Sequence, residues 1–397
     1  MQIKRIKRKI KWNNLNFVNS QIQLHMKWFF YLTGVFVFLY TSQTPINAQS
    51  DANETVTMVM AGLSHGHSHW IFQDDFASDI RLTGIYEPNS DLVDQFINQY
   101  DLNADLFYDD LEVMLDELQP EGLLAFGPIY DHLTAVEAAA PRGIHVMVEK
   151  PLAVSMDHAE KMKSLAEEHG IQLLTNYETS WYASTVKTHR LLTQNPENFG
   201  ELRKALFYHG HQGPKEIGVG PEFLEWLIDP VLNGGGALVD FGCYGANIMT
   251  WLTGGEKPVS VTAVTRTYKP EIYSDVDDDA SIIVTYADSQ AIIQASWNWP
   301  FNRKDMEIYG ESGYIKSPQP EVVHIRKQGE SDERIETVTA GDVELETDPF
   351  HYFASVIRGK IEMEPYSLYT LENNMLVVQI LDAARESADR GETVYFD

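Results

Sequence analysis

The chain has 397 residues, room for two or three domains with well-buried cores. Its 58 acidic residues outweigh 30 basic ones for a formal net charge of −28, which argues against nucleic acid as a partner. A single cysteine, Cys243, excludes any intrachain disulfide, so stability has to come from the core.

Residues 1–48 contain Lys4, Arg5, Lys7, Arg8, Lys9, Lys11 and Lys27 and no acid. An apolar block from Trp28 to Tyr40 follows Lys27, and "PINAQS" then offers small Ala48 as a cleavage point; this order predicts a secretory signal ending near Ala48 and an exported, periplasmic protein. The block is shorter than the ~20 apolar residues a bilayer requires, so no stable membrane span is expected after cleavage. Met26 offers a second possible start for the same signal. The seven bases lost with the signal, from 30, leave 23 against 58 acids, a net charge of about −35 that reads as a solvated surface.

From Thr55 the pattern becomes periodic. "TVTMVMAGL" and "IRLTGIYEP" are short apolar runs that end at Gly62 and at Glu87, as buried parallel strands do. "SDLVDQFINQY" has helical spacing, with Ser90 as cap and Leu92, Phe96 and Ile97 on one face. "EGLLAFGP", "GIHVMVEKP" and "IQLLTNYE" continue the alternation with helices between them, one capped by Ser155. Residues 49–177 therefore predict a doubly wound, Rossmann-type parallel sheet.

Beyond Ser180 the runs "RKALFYHGHQ", "SVTAVTRTY", "ASIIVTYAD", "QAIIQASWNW" and "DMEIYGESGYI" follow one another with few helices. Residues 178–397 thus predict an α+β domain on a large, mostly antiparallel sheet. Near the end Leu368, Leu371, Met375, Val378 and Leu381 form a helical core stripe, whose helix can pack back on the first domain.

The first strand runs into "AGLSHGHSHW", a partial dinucleotide fingerprint. Gly62 serves the tight turn, but Ser64 and His67 hold the second and third glycine positions, and Gly66 is the other glycine near the phosphates. His65, His67 and His69 at alternate positions could instead ligate a metal. That reading needs further ligands at later strand ends and leaves Lys150 unexplained, so no metal is expected. Glu87, 25 residues after Gly62, suits the ribose hydroxyls and repels a ribose phosphate, which favours NAD over NADP.

Gly127, Pro128 and His132 in "GPIYDHL", and Glu149 and Lys150 in "VEKP", stand at the carboxyl ends of strands, where such sheets bind ligands. Together with "GGGALVDFGCYGAN" from Gly234, these motifs resemble the Gfo/Idh/MocA family of sugar and polyol oxidoreductases over nearly all of residues 55–397. The resemblance implies a nicotinamide cofactor, NAD or NADP, on the first domain, a carbohydrate held over it by the second, and self-association through the open sheet face. Lys150 matches the family's lysine beside the reacting hydroxyl, and Asp240 matches the acid of an acid–histidine pair. Tyr244 takes the histidine's place, as in the branches resembling glucose–fructose oxidoreductase and dihydrodiol dehydrogenase, while Asn247 stands where many members carry Asp.

Positions 240, 244 and 247 share a helical face, so their side chains are expected to converge on one polyol. Oxidising an alcohol needs a base and a group that stabilises alkoxide. Lys150 supplies the charge, its ammonium is expected to favour the Tyr244 phenolate, and Asp240 orients substrate hydroxyls. Trp181, His211 and Lys215 are further candidates for substrate contact, with His209, Trp297, Trp299 and Arg303 less secure. The expected activity is an exported, NAD(P)-dependent sugar or polyol oxidoreductase in carbohydrate catabolism. The alternatives are a glycosidase or lyase that oxidises its substrate transiently, or a non-catalytic sugar-binding protein of the same fold.

Overall fold

The strand "VTMVMA" (β1, Val56–Ala61) buries five of its six residues, the mark of a parallel strand covered on both faces. The structure, a computed structural model, describes residues 55–73, 79–194 and 196–396, so the signal segment and its basic extension lie outside the described residues. Around β1 run β2 (Ile80–Tyr86), α1 (Ser90–Tyr100), β3 (Phe107–Tyr108), α2 (Leu111–Leu118), β4 (Gly122–Ala125), α3 (His132–Ala139), β5 (His145–Glu149), α4 (Met156–His169) and β6 (Leu173–Asn176). All pairings are parallel and the order is β3-β2-β1-β4-β5-β6, so the doubly wound sheet reverses between β1 and β4 and opens a crevice there.

Helix starts follow local chemistry. Ser155 caps α4 as expected. For α1 the cap is Asn89, whose Oδ1 accepts from the N–H groups of Asp91 and Leu92, while Ser90 is already the first helical residue.

The second half begins with α5 (Ala183–Gln194), α6 (Pro196–Phe199), β7 (Leu202–Gly210), α7 (Pro214–Ile217), α8 (Pro221–Leu227) and α9 (Ala237–Leu252). It continues through β8 (Ser260–Arg266), β9 (Asp279–Thr285), β10 (Gln290–Ser296), β11 (Arg303–Gly310), β12 (Gly313–Gln319), β13 (Val322–Lys327) and β14 (Arg334–Thr337), then α10 (Pro349–Ile357), α11 (Leu371–Arg390) and β15 (Val394–Tyr395). The nine strands order as β14-β13-β12-β11-β7-β10-β9-β8-β15, antiparallel except for the parallel pair β7 and β10. Phe350 and Phe353 of α10 join Met58 and Met60 of β1 in one apolar cluster, and Val377 and Leu381 of α11 join the cluster under the second sheet.

Helix α9 fills the space beneath that second sheet, with Ala237–Thr250 buried without interruption. The glycines before it admit the protein's own backbone rather than a ligand. A Cβ on Gly236 would stand 1.8 Å from the Asp277 carbonyl oxygen, and the Asp277 carboxylate accepts from the N–H groups of Gly236 (3.0 Å) and Leu238 (2.7 Å). Gly234 adopts φ +81° against Val154. Among the described residues no helix is long and apolar enough to cross a membrane.

Candidate active site

Because α9 is buried all round, each polar side chain it carries has to be matched locally. Asp240 meets Lys150, which β5 delivers from the other domain: Nζ lies 2.5 Å from Oδ1, while Oδ2 accepts the Trp297 indole N–H at 2.9 Å. Burial opposes both charges, yet each ion outweighs that penalty for the other. The Lys150 ammonium is held above its ordinary pKa and the Asp240 carboxyl below its own. The Lys150–Pro151 peptide is cis.

Tyr244, one turn along α9, is 2% exposed, with Lys150 Nζ at 5.3 Å from its ring centre. A second ammonium, Lys304 of β11, lies 5.4 Å from the same ring and pairs with Glu178, which also accepts the Tyr182 hydroxyl. The expectation of a lysine-favoured phenolate is corrected here. Burial first, then Glu178, Cys243, Asp240 and Glu149, push the Tyr244 pKa well above its usual value, so the phenol keeps its proton. His211 packs its ring 4.9 Å from Phe241, and its Nδ1 accepts the Gly213 N–H. Burial drives its pKa down to about 4, leaving a neutral ring whose proton sits on Nε2.

At the carboxyl ends of β1, β2 and β4 lies a crevice of about 460 Å³ lined by Gly62, Ser64, Glu87, Gly127, Pro128 and His132. Gly62 has φ +83°, and a Cβ there would sit 2.7 Å from Gly127 N, so only glycine lets the two turns approach. The Glu87 carboxylate accepts from Leu63 N–H and Asn89 N–H, both at 2.9 Å, and still faces the crevice. His132 lies 3.1 Å from Leu152 O through Nδ1, and its buried Nε2 has no protein partner. From the second domain, α8 closes over the first turn: Trp226 donates to Ser64 Oγ at 3.0 Å and the Phe223 ring lies tilted 4.8 Å from that of His65.

Several expected contacts fall elsewhere. Gly66 faces Phe223 rather than the crevice, and the turn leads into a short 3-10 helix, Gly66–Phe72, capped by His65 itself. His65, His67 and Glu149 bring three ligand-type atoms within 4.8 Å of one another. His65 Nδ1 accepts the His67 N–H, so in the neutral ring the proton sits on Nε2, the atom facing Glu149, which then has no lone pair for a metal. His69 instead bonds Tyr100. Burial opposes the Glu149 charge, but His67, His65 and the Asn176 amide hold its pKa down to about 2.

Asn247 is fully buried, donates to Leu368 O and Asn373 Oδ1, and does not converge on the site. Seven residues of helix set it about 10 Å below Asp240 along the axis, too far for one small polyol. Trp181 donates to Asn176 and stacks on Tyr369, so it braces Glu149 from behind. Lys215, a candidate for substrate contact, is exposed, while Lys304 stands beside the Tyr244 ring. Lys304 and Glu178 went unread because their partnership spans 126 residues and leaves no local spacing.

Residues 56–177 match the family model described as the oxidoreductase family with an NAD-binding Rossmann fold, and residues 195–316 match the GFO/IDH/MocA C-terminal domain. The chain belongs to the Gfo/Idh/MocA oxidoreductase family. Among curated relatives of this Gfo/Idh/MocA protein are a D-xylose 1-dehydrogenase [NADP(+)] from Haloarcula marismortui, 28% identical over 37% of this chain and 39% of that protein, and a trans-1,2-dihydrobenzene-1,2-diol dehydrogenase from Sus scrofa, 28% identical over 39% and 42%. The match thus spans about two fifths of each relative's length. An aldose-aldose oxidoreductase from Caulobacter crescentus, solved with glycerol, superposes with a TM-score of 0.69 at 21% identity, covering 86% of this chain and all of that one, a likeness of fold.

Proposed function

We propose that this protein is a nicotinamide-dependent dehydrogenase that moves a hydride between its cofactor and a hydroxyl-bearing carbon of a sugar, glycoside or polyol, and that it works after export. The observation that carries this reading is the buried Lys150–Asp240 pair set against the Tyr244 ring, beside a crevice of Rossmann type. The crevice fits a dinucleotide: its first turn tolerates only glycine at position 62, an acid ends β2, and His132 Nε2 is buried without a partner. Gly62, Ser64, Glu87, Gly127, Pro128 and His132 are the residues that would hold it. Once bound, a nicotinamide dinucleotide supplies the hydride acceptor or donor.

The chain's own residues handle the proton and the charge. Lys150, kept cationic by Asp240, stabilises negative charge on the substrate oxygen. Neutral Tyr244 is poised to give a proton to that oxygen in the reducing direction and, by microscopic reversibility, takes it back in the oxidising one. The carboxylates Glu87, Glu222, Glu225 and Asp229 around the crevice support NAD over the more anionic NADP.

Denaturing the purified protein and weighing the released nucleotide, then assaying it against sugars and polyols, tests the reading. A protein that neither binds nor uses NAD or NADP would overturn it. Export rests on the basic and apolar composition of residues 1–48, and N-terminal sequencing of periplasmic protein should read from near Gln49.

A further inference from the structure

Next to the reacting centre, on the face of the second sheet, lies a groove of about 590 Å³ that hydride transfer on a single small polyol does not require. It shares two walls with the centre. Lys304 borders the groove and lies 5.4 Å from the Tyr244 ring, which Lys150 approaches to 5.3 Å, and His211 borders it while packing on Phe241. Lys304 and His211 are therefore common to the groove and to the aromatic pair Phe241 and Tyr244 beside Lys150.

The charges of the groove cancel in pairs. Lys304 is bound to Glu178, and Arg303 makes a two-point contact with Asp305, at 2.8 Å and 2.6 Å. With both cations already matched, a phosphate or uronate gains no free positive charge, and a cation gains no free carboxylate. What remains is a dense set of paired donors and acceptors beside Phe301, an aromatic side chain left 59% exposed. Polar groups that fix hydroxyls, next to an apolar ring face, suit a neutral sugar.

We propose that the groove binds a second neutral, hydroxyl-rich ring joined to the reacting sugar, so that the substrate is a neutral disaccharide or glycoside and not a free monosaccharide. This rests on the dehydrogenase reading above and specifies its substrate class.

The test uses the full chain with its nucleotide. It compares kcat/KM for glucose, galactose and xylose with that for cellobiose, lactose and maltose, and for glucuronic acid and glucose 6-phosphate, in the native protein and in Phe301→Ala. The expected result is a preference of tenfold or more for the best neutral disaccharide. In Phe301→Ala that preference is lost through a higher KM, with kcat on monosaccharides unchanged. Equal use of mono- and disaccharides, a preference for the anionic sugars, or a Phe301→Ala loss that falls equally on all substrates overturns it. Should no sugar be oxidised, the dehydrogenase reading fails separately. Calorimetric titration with the three disaccharides then decides the groove: binding weakened by Phe301→Ala upholds it and no binding overturns it.

Discussion

Lys150 and Asp240, ninety residues apart in the chain, share a buried contact of 2.5 Å that joins the nucleotide domain to the central helix of the other. Removing one partner of such a pair strands a charge, at a cost of about 3–5 kcal/mol, whereas removing both does not. Asp240→Asn and Lys150→Met are each expected to lower the thermal midpoint markedly, and the double variant is expected to recover much of it. Turnover should stay absent in both variants that lack Lys150, while bound nucleotide is retained. Recovery of activity in the double variant would show that Lys150 has no role in the chemistry.

Tyr244 gives the reaction a directional pH dependence. Since burial holds its pKa above the ordinary phenol value, the acid form persists past pH ~10. Reduction of a carbonyl substrate is expected to be flat from pH 6 to 9. Oxidation should keep rising with pH over that range without a plateau, because only the growing phenolate fraction accepts the proton. Tyr244→Phe is expected to cost about 10²- to 10⁴-fold in kcat with KM little changed. Steady-state rates in both directions check this, and an oxidation plateau near pH 7 would assign the proton to another group.

The first sheet was readable because β1, β4 and β5 are continuous apolar runs punctuated by Gly62, Gly127 and Glu149, and burial on both faces leaves no other pattern. The two-residue β3 is too short for any period to register. In β13, Val323 and Ile325 do alternate inward, a signal present in the sequence but brief and flanked by charge. At the site, Lys150, Asp240 and Tyr244 were legible from motif and helical spacing. Asn247 misled because helical phase says nothing of axial distance, and Lys304 was hidden because its meaning comes from Glu178 across the sheet.

Buried histidines should set the acid limb of stability. Burial holds His132 at about 4 and His209 at about 3 in the folded protein, against ~6.5 in an unfolded chain. Below that value the unfolded state takes up protons first, so stability falls from about pH 6.5 down through the folded values. Glu149, depressed to about 2, adds a loss only further down, as pH drops below the ordinary carboxylate range. Urea midpoints are expected to decline steadily between pH 7 and 4. His209→Phe, which packs against Phe207 and Tyr244, should make that decline shallower; an unchanged slope would mean that His209 does not titrate in this way.

The start of α9 offers a test of how the site is held. Asp277 caps the helix through Gly236 N–H and Leu238 N–H, two turns of chain before Tyr244, and its backbone oxygen fills the space a side chain at Gly236 would need. Asp277→Ala removes the cap alone and is expected to cost about 0.5–2 kcal/mol of stability with modest loss of activity. Gly236→Ala must push the backbone at Asp277, in the loop before β9, away and with it the start of the helix that carries Asp240. It is therefore expected to lower kcat more than the cap variant does, even at temperatures where both are folded. Circular dichroism melts beside steady-state kinetics separate the two effects, and a Gly236→Ala enzyme with native kcat would show that Asp240 is positioned from the Lys150 and Trp297 side rather than by the helix start.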